Sequence, residues 1–474
     1  MTASSSLALN IVLNPATGER LAELPQASAD EVDHLIARAI TVQRAWARVP
    51  RHARSALMLD YVAVLRAHRD ELAMILTSEN GKPIGQARDE VDTVIRIFKG
   101  FAERVIAWDE AARFLDTEPG RERDLQFTHW EPLGVVVGIV PFNFPAELQA
   151  WKVAPAIAAG NSIVVKPSSS TPLVGTRMVE LMSGLGFPDD LVQVVHAPGG
   201  VGAALAAHPG VAAVALTGST EAGLAVAAAG ARTLKRVALE LGGNDAMVVL
   251  ADADLDLVVA EAVAGRSLAN GQVCCATKRV VAERLVADEL VERLAVAFGG
   301  LRLGNPAQPS TQLGPVINAA AATQIAGLVS EAVRQGARVV AGGSAPDGAF
   351  LAPTVLFDEG ATADVSHDVE IFGPVLDVIP FDSTRQAVEI ANASHYGLSG
   401  SVFSRDTGRA LDVALGLETG SVAINGTGLY RADQQAWGGY KLSGNVRESL
   451  NEGLEEFSQR KTITLRNILG VTAS

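Results

Sequence analysis

From Ala29 to Ala111 apolar residues recur every three or four positions among many Ala, Leu, Arg and Glu, which predicts a run of helices. Glu79-Asn80-Gly81-Lys82-Pro83 breaks that run with turn chemistry. Beyond Trp130 the pattern changes to short, continuous β-branched stretches separated by amphipathic ones. Strands are predicted at Leu133–Val140, Ser162–Lys166, Leu191–His196 and Ala212–Leu216, with helices at Glu147–Ala159, Pro172–Leu185, Gly202–Ala207 and Thr220–Ala231. Strands that run apolar on both faces and alternate with helices point to a parallel, doubly wound α/β sheet covered on both sides.

A second alternating region follows Asp245, with strands expected at Ala246–Leu250, Arg279–Val281, Arg338–Val340, Val375–Pro380, Gly400–Phe403 and Ser421–Asn425. This predicts a second α/β unit. Two segments stand apart. Thr117 to Trp130 is charged and poor in helix signals, open to reading as a hairpin or a solvated loop. The tail Lys461 to Leu465 alternates like an exposed strand that seeks a partner edge.

At 474 residues the chain is too long for one hydrophobic core, and 48% hydrophobic against 19% charged residues excludes disorder. A net charge of −14 disfavours nonspecific binding to nucleic acid or to an anionic membrane, although a local Arg or Lys still permits an anionic substrate. Apolar runs are interrupted before the roughly 18 residues a membrane span needs, and Met1 to Leu9 lacks the basic start of a secretory signal. The expectation is a soluble, cytoplasmic protein without a metal site. Its two cysteines, Cys274 and Cys275, are adjacent, which makes no disulfide framework and fits a reducing compartment.

Those cysteines sit at the polar end of an Ala- and Val-rich helical run, after Asn270-Gly271-Gln272, where a glycine lets backbone and substrate come close. A reactive thiol and a small buried hydrophobe are both open readings here. Glu240 lies in the apolar run Arg236 to Leu241. A buried carboxyl has a raised pKa and suits a general base, unless an ion pair holds it. Asn143, Lys166 and Thr217-Gly218-Ser219 all fall just past strand ends, where doubly wound sheets bind ligands. The Thr217-Gly218-Ser219-Thr220 turn offers N–H groups and a helix N-terminus to a pyrophosphate. Gly199-Gly200-Val201-Gly202 is an incomplete Gly-rich pattern, read as tight packing.

Taken in order, Pro141-Phe142-Asn143-Phe144-Pro145, Leu239-Glu240-Leu241-Gly242-Gly243 and Gly271-Gln272-Val273-Cys274 resemble the aldehyde dehydrogenase superfamily. Further matches run from Asn14-Pro15-Ala16-Thr17-Gly18 to Lys441-Leu442-Ser443-Gly444, so the resemblance spans essentially the whole chain. It implies a Rossmann-like cofactor domain from residues 1–117 and 132–243, with 442–454 returning to it, and a catalytic α/β domain at 244–441. It also implies a small β oligomerisation element from 118–131 and 455–474, whose tail strand joins a neighbouring subunit in a homodimer or homotetramer.

The resemblance further implies NAD- or NADP-dependent oxidation of a small-molecule aldehyde to its acid, through a thiohemiacetal and a thioester on Cys274. The motif counts the nucleophile from Gln272 and leaves Cys275 to packing. Asn143 and the Cys274 N–H are the implied oxyanion donors, and Glu240 the base for the hydrolytic water. Lys152 matches a lysine on the acid/base path, its other reading being a solvated helix-surface residue. Cofactor positions fall on Ile139, Pro141, Lys166, Ser169, Gly218, Ser219, Glu370 and Phe372. Ser169 stands where many NAD-preferring relatives carry a glutamate that repels a 2′-phosphate, so NADP is expected to be tolerated.

Phe144, Trp151 and Trp437 match the aromatic positions of the family's aldehyde tunnel, while Arg431 resembles relatives that take anionic or hydroxylated aldehydes. Both readings stand. One alternative is an acylating, coenzyme A-dependent semialdehyde dehydrogenase, against which Glu240 argues. Another is a non-redox cysteine thioesterase or esterase, against which the cofactor-side matches and the lack of a histidine base motif argue. The chain departs from the family at Ala269, Leu216 and Val446, where Asn, Phe and Gly are usual.

Overall fold

Four helices, Val32–Trp46, Arg51–Ala67, Arg69–Asn80 and Ile84–Ile106, fill the N-terminal region of the computed structural model, which describes residues 8–108 and 111–468. The start of the chain, read above as lacking a signal, and residues 469–474 of the expected oligomerisation element lie outside the described residues. The third helix stops at Gly81, whose φ of +85° lets its N–H turn back to Thr77 O. A Cβ there would press 3.0 Å from the Pro315 carbonyl oxygen.

The first sheet has five parallel strands in the spatial order Val192–Val194, Ser162–Lys166, Val135–Ile139, Ala213–Thr217, Arg236–Glu240. Alternate residues serve alternate faces. Val136, Ile163, Val165 and Ala215 pack with helices Arg51–Ala67, Ile84–Ile106 and Pro145–Ala159, while Val135, Val137, Val164 and Leu216 pack with helices Val32–Trp46 and Gly199–Ala207. Covering on both sides is why these strands read as unbroken apolar runs. The strand order reverses between Val135–Ile139 and Ala213–Thr217, which opens a crevice past Ile139 and Thr217.

A second sheet of seven strands runs Arg338–Ala341, Thr354–Phe357, Val375–Phe381, Arg279–Glu283, Ala246–Val249, Ser399–Phe403, Ser421–Ile424. Its first strand is antiparallel to the next and the remaining pairs are parallel. Thr354–Phe357, fully buried and only four residues long, is a strand the pattern did not single out. Helix Leu173–Glu180 is shorter than the predicted Pro172–Leu185, because after it the backbone tightens into i→i−3 turns, Met182 N to Val179 O and Ser183 N to Glu180 O, that lead to Gly184 at positive φ.

The Gly199-Gly200-Val201-Gly202 reading needs correction. These residues form the first turn of helix Gly199–Ala207, and only at Gly202 is the packing tight, since a Cβ would lie 3.0 Å from Lys166 Cδ. Side chains at Gly199 and Gly200 would meet nothing within 4 Å.

A third, antiparallel sheet has the order Ser458–Leu465, Leu125–Pro132, Ala112–Phe114. The tail strand therefore pairs along its whole length with Leu125–Pro132 of its own chain. Its outer edge has no strand partner among the described residues. No described helix is long and apolar enough to cross a membrane.

Candidate active site

Cys274 reaches its place through a strained approach. Ala269, Asn270 and Gly271 take successive φ values of +47°, +59° and +77°, a left-handed path that non-glycine residues hold only when their surroundings enforce it. The enforcement is visible. Asn270 Nδ2 donates to Pro315 O at 2.7 Å and Gly81 O at 3.1 Å, and its Oδ1 accepts from Gly314 N at 2.6 Å. Gln272 Oε1 accepts from Ile317 N at 2.9 Å. Buried Arg266 donates to Ile371 O at 2.6 Å and to Gly271 O at 3.5 Å. Gly271 is obligatory, because a Cβ would stand 2.3 Å from the Gly373 backbone.

This path presents Cys274 to a pocket, partly exposed, with Cys275 more deeply set at 9% exposure. The Cys274 thiol is pulled below its ordinary pKa, chiefly by the hydrogen bond with Cys275 and then by the Lys278 ammonium, against its own burial. Cys275 moves the opposite way, pushed up by that same hydrogen bond and by burial. Of the two sulfurs, the thiolate therefore favours Cys274. Asn143, buried, donates its side-chain amide to Gln272 O at 2.9 Å, just before the cysteine. The Cys274 backbone N–H has no acceptor among the described residues.

Glu240 ends the last strand of the first sheet and lines the same pocket at 7% exposure. Its Oε1 is buried without a hydrogen-bond partner. Burial first, then the Glu448 carboxylate, raises its pKa well above the ordinary range, opposed by Arg431 and Lys152. A carboxyl raised in this way is a stronger base than an ordinary carboxylate, as proton abstraction from water requires.

Lys152 is not a solvated lysine. It is 2% exposed, donates to Thr217 Oγ1 at 2.7 Å and lies 3.9 Å from Glu448 Oε1. Glu448 escaped the sequence reading. The chain carries it there by returning along the first sheet, with Leu241 N bonding Ser443 O at 2.9 Å and Asn445 N bonding Leu239 O at 3.1 Å. Gly444, φ +141°, allows this approach, since a Cβ would sit 2.2 Å from Leu239 O. The only sequence signal was an acidic residue shortly after Ser443-Gly444-Asn445.

Phe144, Leu148, Leu268, Leu429 and Trp437 supply the apolar part of the pocket wall. Trp151 does not line it and needs correction as a tunnel residue. Its ring is 2% exposed, packs edge-on to Phe101 at 5.9 Å, and carries the Arg431 guanidinium 4.4 Å from its centroid. Arg431 does line the pocket, but its Nη2 already donates to Glu448 Oε2 at 3.0 Å. Glu147, also missed, completes the polar wall.

The crevice past Ile139 and Pro141 adjoins this pocket through Phe142, which meets Phe372 edge-on at 5.8 Å. Glu370 lies over the Gly242-Gly243 turn, 3.1 Å from Lys278 Nζ, where a Cβ on Gly242 would stand 2.5 Å from its carboxylate. Ser219 caps helix Thr220–Ala231 by accepting from Ala222 N at 3.2 Å. Of the N–H groups in this turn, that of Gly218 is already used, donating to Glu240 O at 3.0 Å. Those of Ser219 and Thr220 have no acceptor among the described residues. Lys166 is half-buried with its ammonium near Pro167 O, and Ser169 is exposed. Uncommitted N–H groups at a helix N-terminus, a lysine and open space beside Gly199 and Gly200 fit an elongated anionic cofactor. No metal-ligand cluster occurs among the described residues.

Residues 2–463 match the model of the aldehyde dehydrogenase family. The chain belongs to the aldehyde dehydrogenase family. It is 37% identical over 466 residues to a 3,6-anhydro-α-L-galactose dehydrogenase of Streptomyces coelicolor, covering 96% of this chain and 93% of that one. It is likewise 37% identical over 463 residues to a 3-sulfolactaldehyde dehydrogenase of Pseudomonas putida, with the same coverage. The structure superposes on betaine aldehyde dehydrogenase from Staphylococcus aureus in complex with NAD+ with a TM-score of 0.92 at 32% identity, covering 98% of this chain and 93% of that one. Membership makes this aldehyde dehydrogenase an NAD(P)-linked oxidoreductase acting on an aldehyde.

Proposed function

We propose that Cys274 attacks the aldehyde carbon and that Glu240 later activates the water that releases the acid. The observation that carries this reading is one pocket lined by Asn143, Glu240 and Cys274 together. Attack forms the carbon–sulfur bond and places negative charge on the former carbonyl oxygen, within reach of the Asn143 amide and the uncommitted Cys274 N–H. The nicotinamide cofactor, when bound, supplies the two-electron acceptor that turns the thiohemiacetal into a thioester. Water then adds to the thioester carbonyl, Glu240 takes its proton, and sulfur leaves as the thiolate that the Lys278 charge favours. In this reading the buried pair Lys152 and Glu448, 3.9 Å apart, passes on the proton that Glu240 takes. A base beside the thioester supports water rather than coenzyme A as the acyl acceptor.

The free N–H of Ser219, beside Gly218, and Lys166 would hold the pyrophosphate and adenosine side of the cofactor, with Ile139 and Pro141 along the crevice floor. Glu370 and Phe372 would hold the nicotinamide ribose side. Ser169 brings no charge to the ribose, which supports use of NADP as well as NAD. The open edge of Ser458–Leu465 supports assembly into a homodimer or homotetramer, and two free cysteines suit the cytoplasm. The test is cofactor reduction, followed by absorbance, with a panel of aldehydes. Wild type reduces NAD or NADP with at least one of them and Cys274→Ala with none; equal rates in the two proteins would sink the assignment. The relatives' named substrates differ in charge, so the choice of aldehyde falls to the pocket wall.

A further inference from the structure

Beside the Cys274 sulfur the pocket has a polar side whose members come from three separate segments. Glu147 stands in the first turn of helix Pro145–Ala159, three residues after Phe144, and accepts from Trp151 Nε1 at 3.4 Å. Arg431 comes from the loop before Trp437, and Glu448 from the segment returning along the first sheet. The Arg431 guanidinium lies 4.4 Å from the Trp151 ring centroid and 5.5 Å from that of Trp437, with Nη2 donating to Glu448 Oε2 at 3.0 Å.

Charge is the first discriminator. The ionisable side chains lining the pocket, apart from the two thiols, are Arg431 against Glu147, Glu240 and Glu448. An acidic tail on the substrate would meet a guanidinium already paired with Glu448, and would have to lie among further carboxyl groups in a desolvated site. A cationic tail, although drawn by the carboxyls, would have to enter beside the Arg431 guanidinium, which already covers a face of each tryptophan that could otherwise cage it.

Hydrogen-bonding capacity is the second. Arg431 Nε and Glu240 Oε1 are both buried without any partner, one a donor and the other an acceptor, in the walls of one cavity. Glu147 adds a carboxyl acceptor to the same wall, already reached by Trp151 Nε1, and burial raises its pKa despite Arg431. A hydroxyl group is the substrate feature that both donates and accepts without bringing net charge into the site.

We propose that the wall formed by Glu147, Arg431 and Glu448 makes this enzyme selective for neutral, hydroxylated aldehydes over anionic and cationic ones. The proposal rests on the reading of Cys274 as nucleophile. Arg431 then acts as a charge-neutralised donor, opposite in sense to the anion-binding role its position in the sequence suggests.

The test compares kcat/KM of the full-length enzyme on glyceraldehyde, propionaldehyde, succinic semialdehyde and betaine aldehyde, with both cofactors, for wild type, Glu147→Gln and Glu147→Leu. Wild type should prefer glyceraldehyde to each charged aldehyde by about tenfold or more. The glyceraldehyde-to-propionaldehyde ratio should fall about tenfold in Glu147→Leu and less in Glu147→Gln, which keeps a carbonyl acceptor at that place. A wild-type preference for succinic semialdehyde or betaine aldehyde overturns the proposal even if the variants do not fold, and leaves the dehydrogenase reading standing. An unchanged ratio in folded Glu147→Leu overturns the role of Glu147. Turnover of none of the four aldehydes, or of any other in the wider panel, overturns the dehydrogenase reading and this proposal with it.

Discussion

The Lys82 ammonium donates to the backbone carbonyl of Asn143 across 2.7 Å, fixing from behind the residue whose side-chain amide reaches the cysteine loop. Lys82 is itself ion-paired with Glu90, both side chains fully buried. The other Glu90 oxygen accepts from Ala146 N at 2.9 Å and Glu147 N at 3.1 Å, so one pair anchors both the Asn143 loop and the helix that follows it. Removing one partner leaves a buried charge unpaired. Lys82→Met is expected to lose about 3–5 kcal/mol of stability in denaturant unfolding. Its surviving folded fraction should show a reduced kcat, whereas a merely peripheral pair would leave kcat per folded molecule at the wild-type value.

Asn143→Ala removes one oxyanion donor while leaving the Cys274 N–H in place. We expect kcat to fall by roughly 10²–10³-fold, in line with loss of a single donor elsewhere. Single-turnover kinetics would locate the loss in the step before thioester hydrolysis. A loss confined to KM would assign Asn143 to binding instead.

Glu240 carries a proton above the usual carboxyl range because burial and Glu448 both disfavour its charge. Its basic form therefore appears as pH rises, and hydrolysis of the thioester should accelerate with pH until that raised value is passed. Glu448→Gln removes the second-largest cause, so the rising limb of the pH–rate profile should move to lower pH. A limb that stays in place, or moves upward, would remove Glu240 as the titrating base.

Outside the pocket, Ser366 Oγ lies 2.7 Å from Asp358 Oδ2 and 2.6 Å from Asp377 Oδ2, all three buried. One hydroxyl proton cannot serve two carboxylates, and burial pushes Asp377 up to about 7. The folded state keeps that proton after the unfolded chain has released it. The associated stability is complete below the ordinary carboxyl range and is lost as pH rises toward 7, at about 1.4 kcal/mol per pKa unit. Asp377→Asn should flatten this part of the stability–pH curve, as read by thermal melts from mildly acid to neutral pH.

The first sheet was legible because its strands, covered on both faces, are written as continuous apolar runs, and Ser162–Lys166 and Thr220–Ala231 match their predicted bounds. Thr354–Phe357 was not, since four residues without a flanking helical pattern carry no period. Asn143, Glu240 and Cys274 could be named from their motifs, whereas Glu147 and Glu448 enter the pocket only through tertiary folding, one from a helix start and one from a returning chain segment. Trp151 shows the converse: sequence placed an aromatic residue near the pocket, but not on which side of Arg431 it lies.

The most direct test of the account is peptide mass spectrometry on Glu240→Gln after mixing with an oxidisable aldehyde and the cofactor that wild type uses. With the base removed, the acyl group should accumulate on Cys274 as a thioester, release cofactor in a single burst and leave Cys275 unmodified. An acyl adduct on Cys275, or steady turnover at the wild-type rate without any adduct, would contradict it.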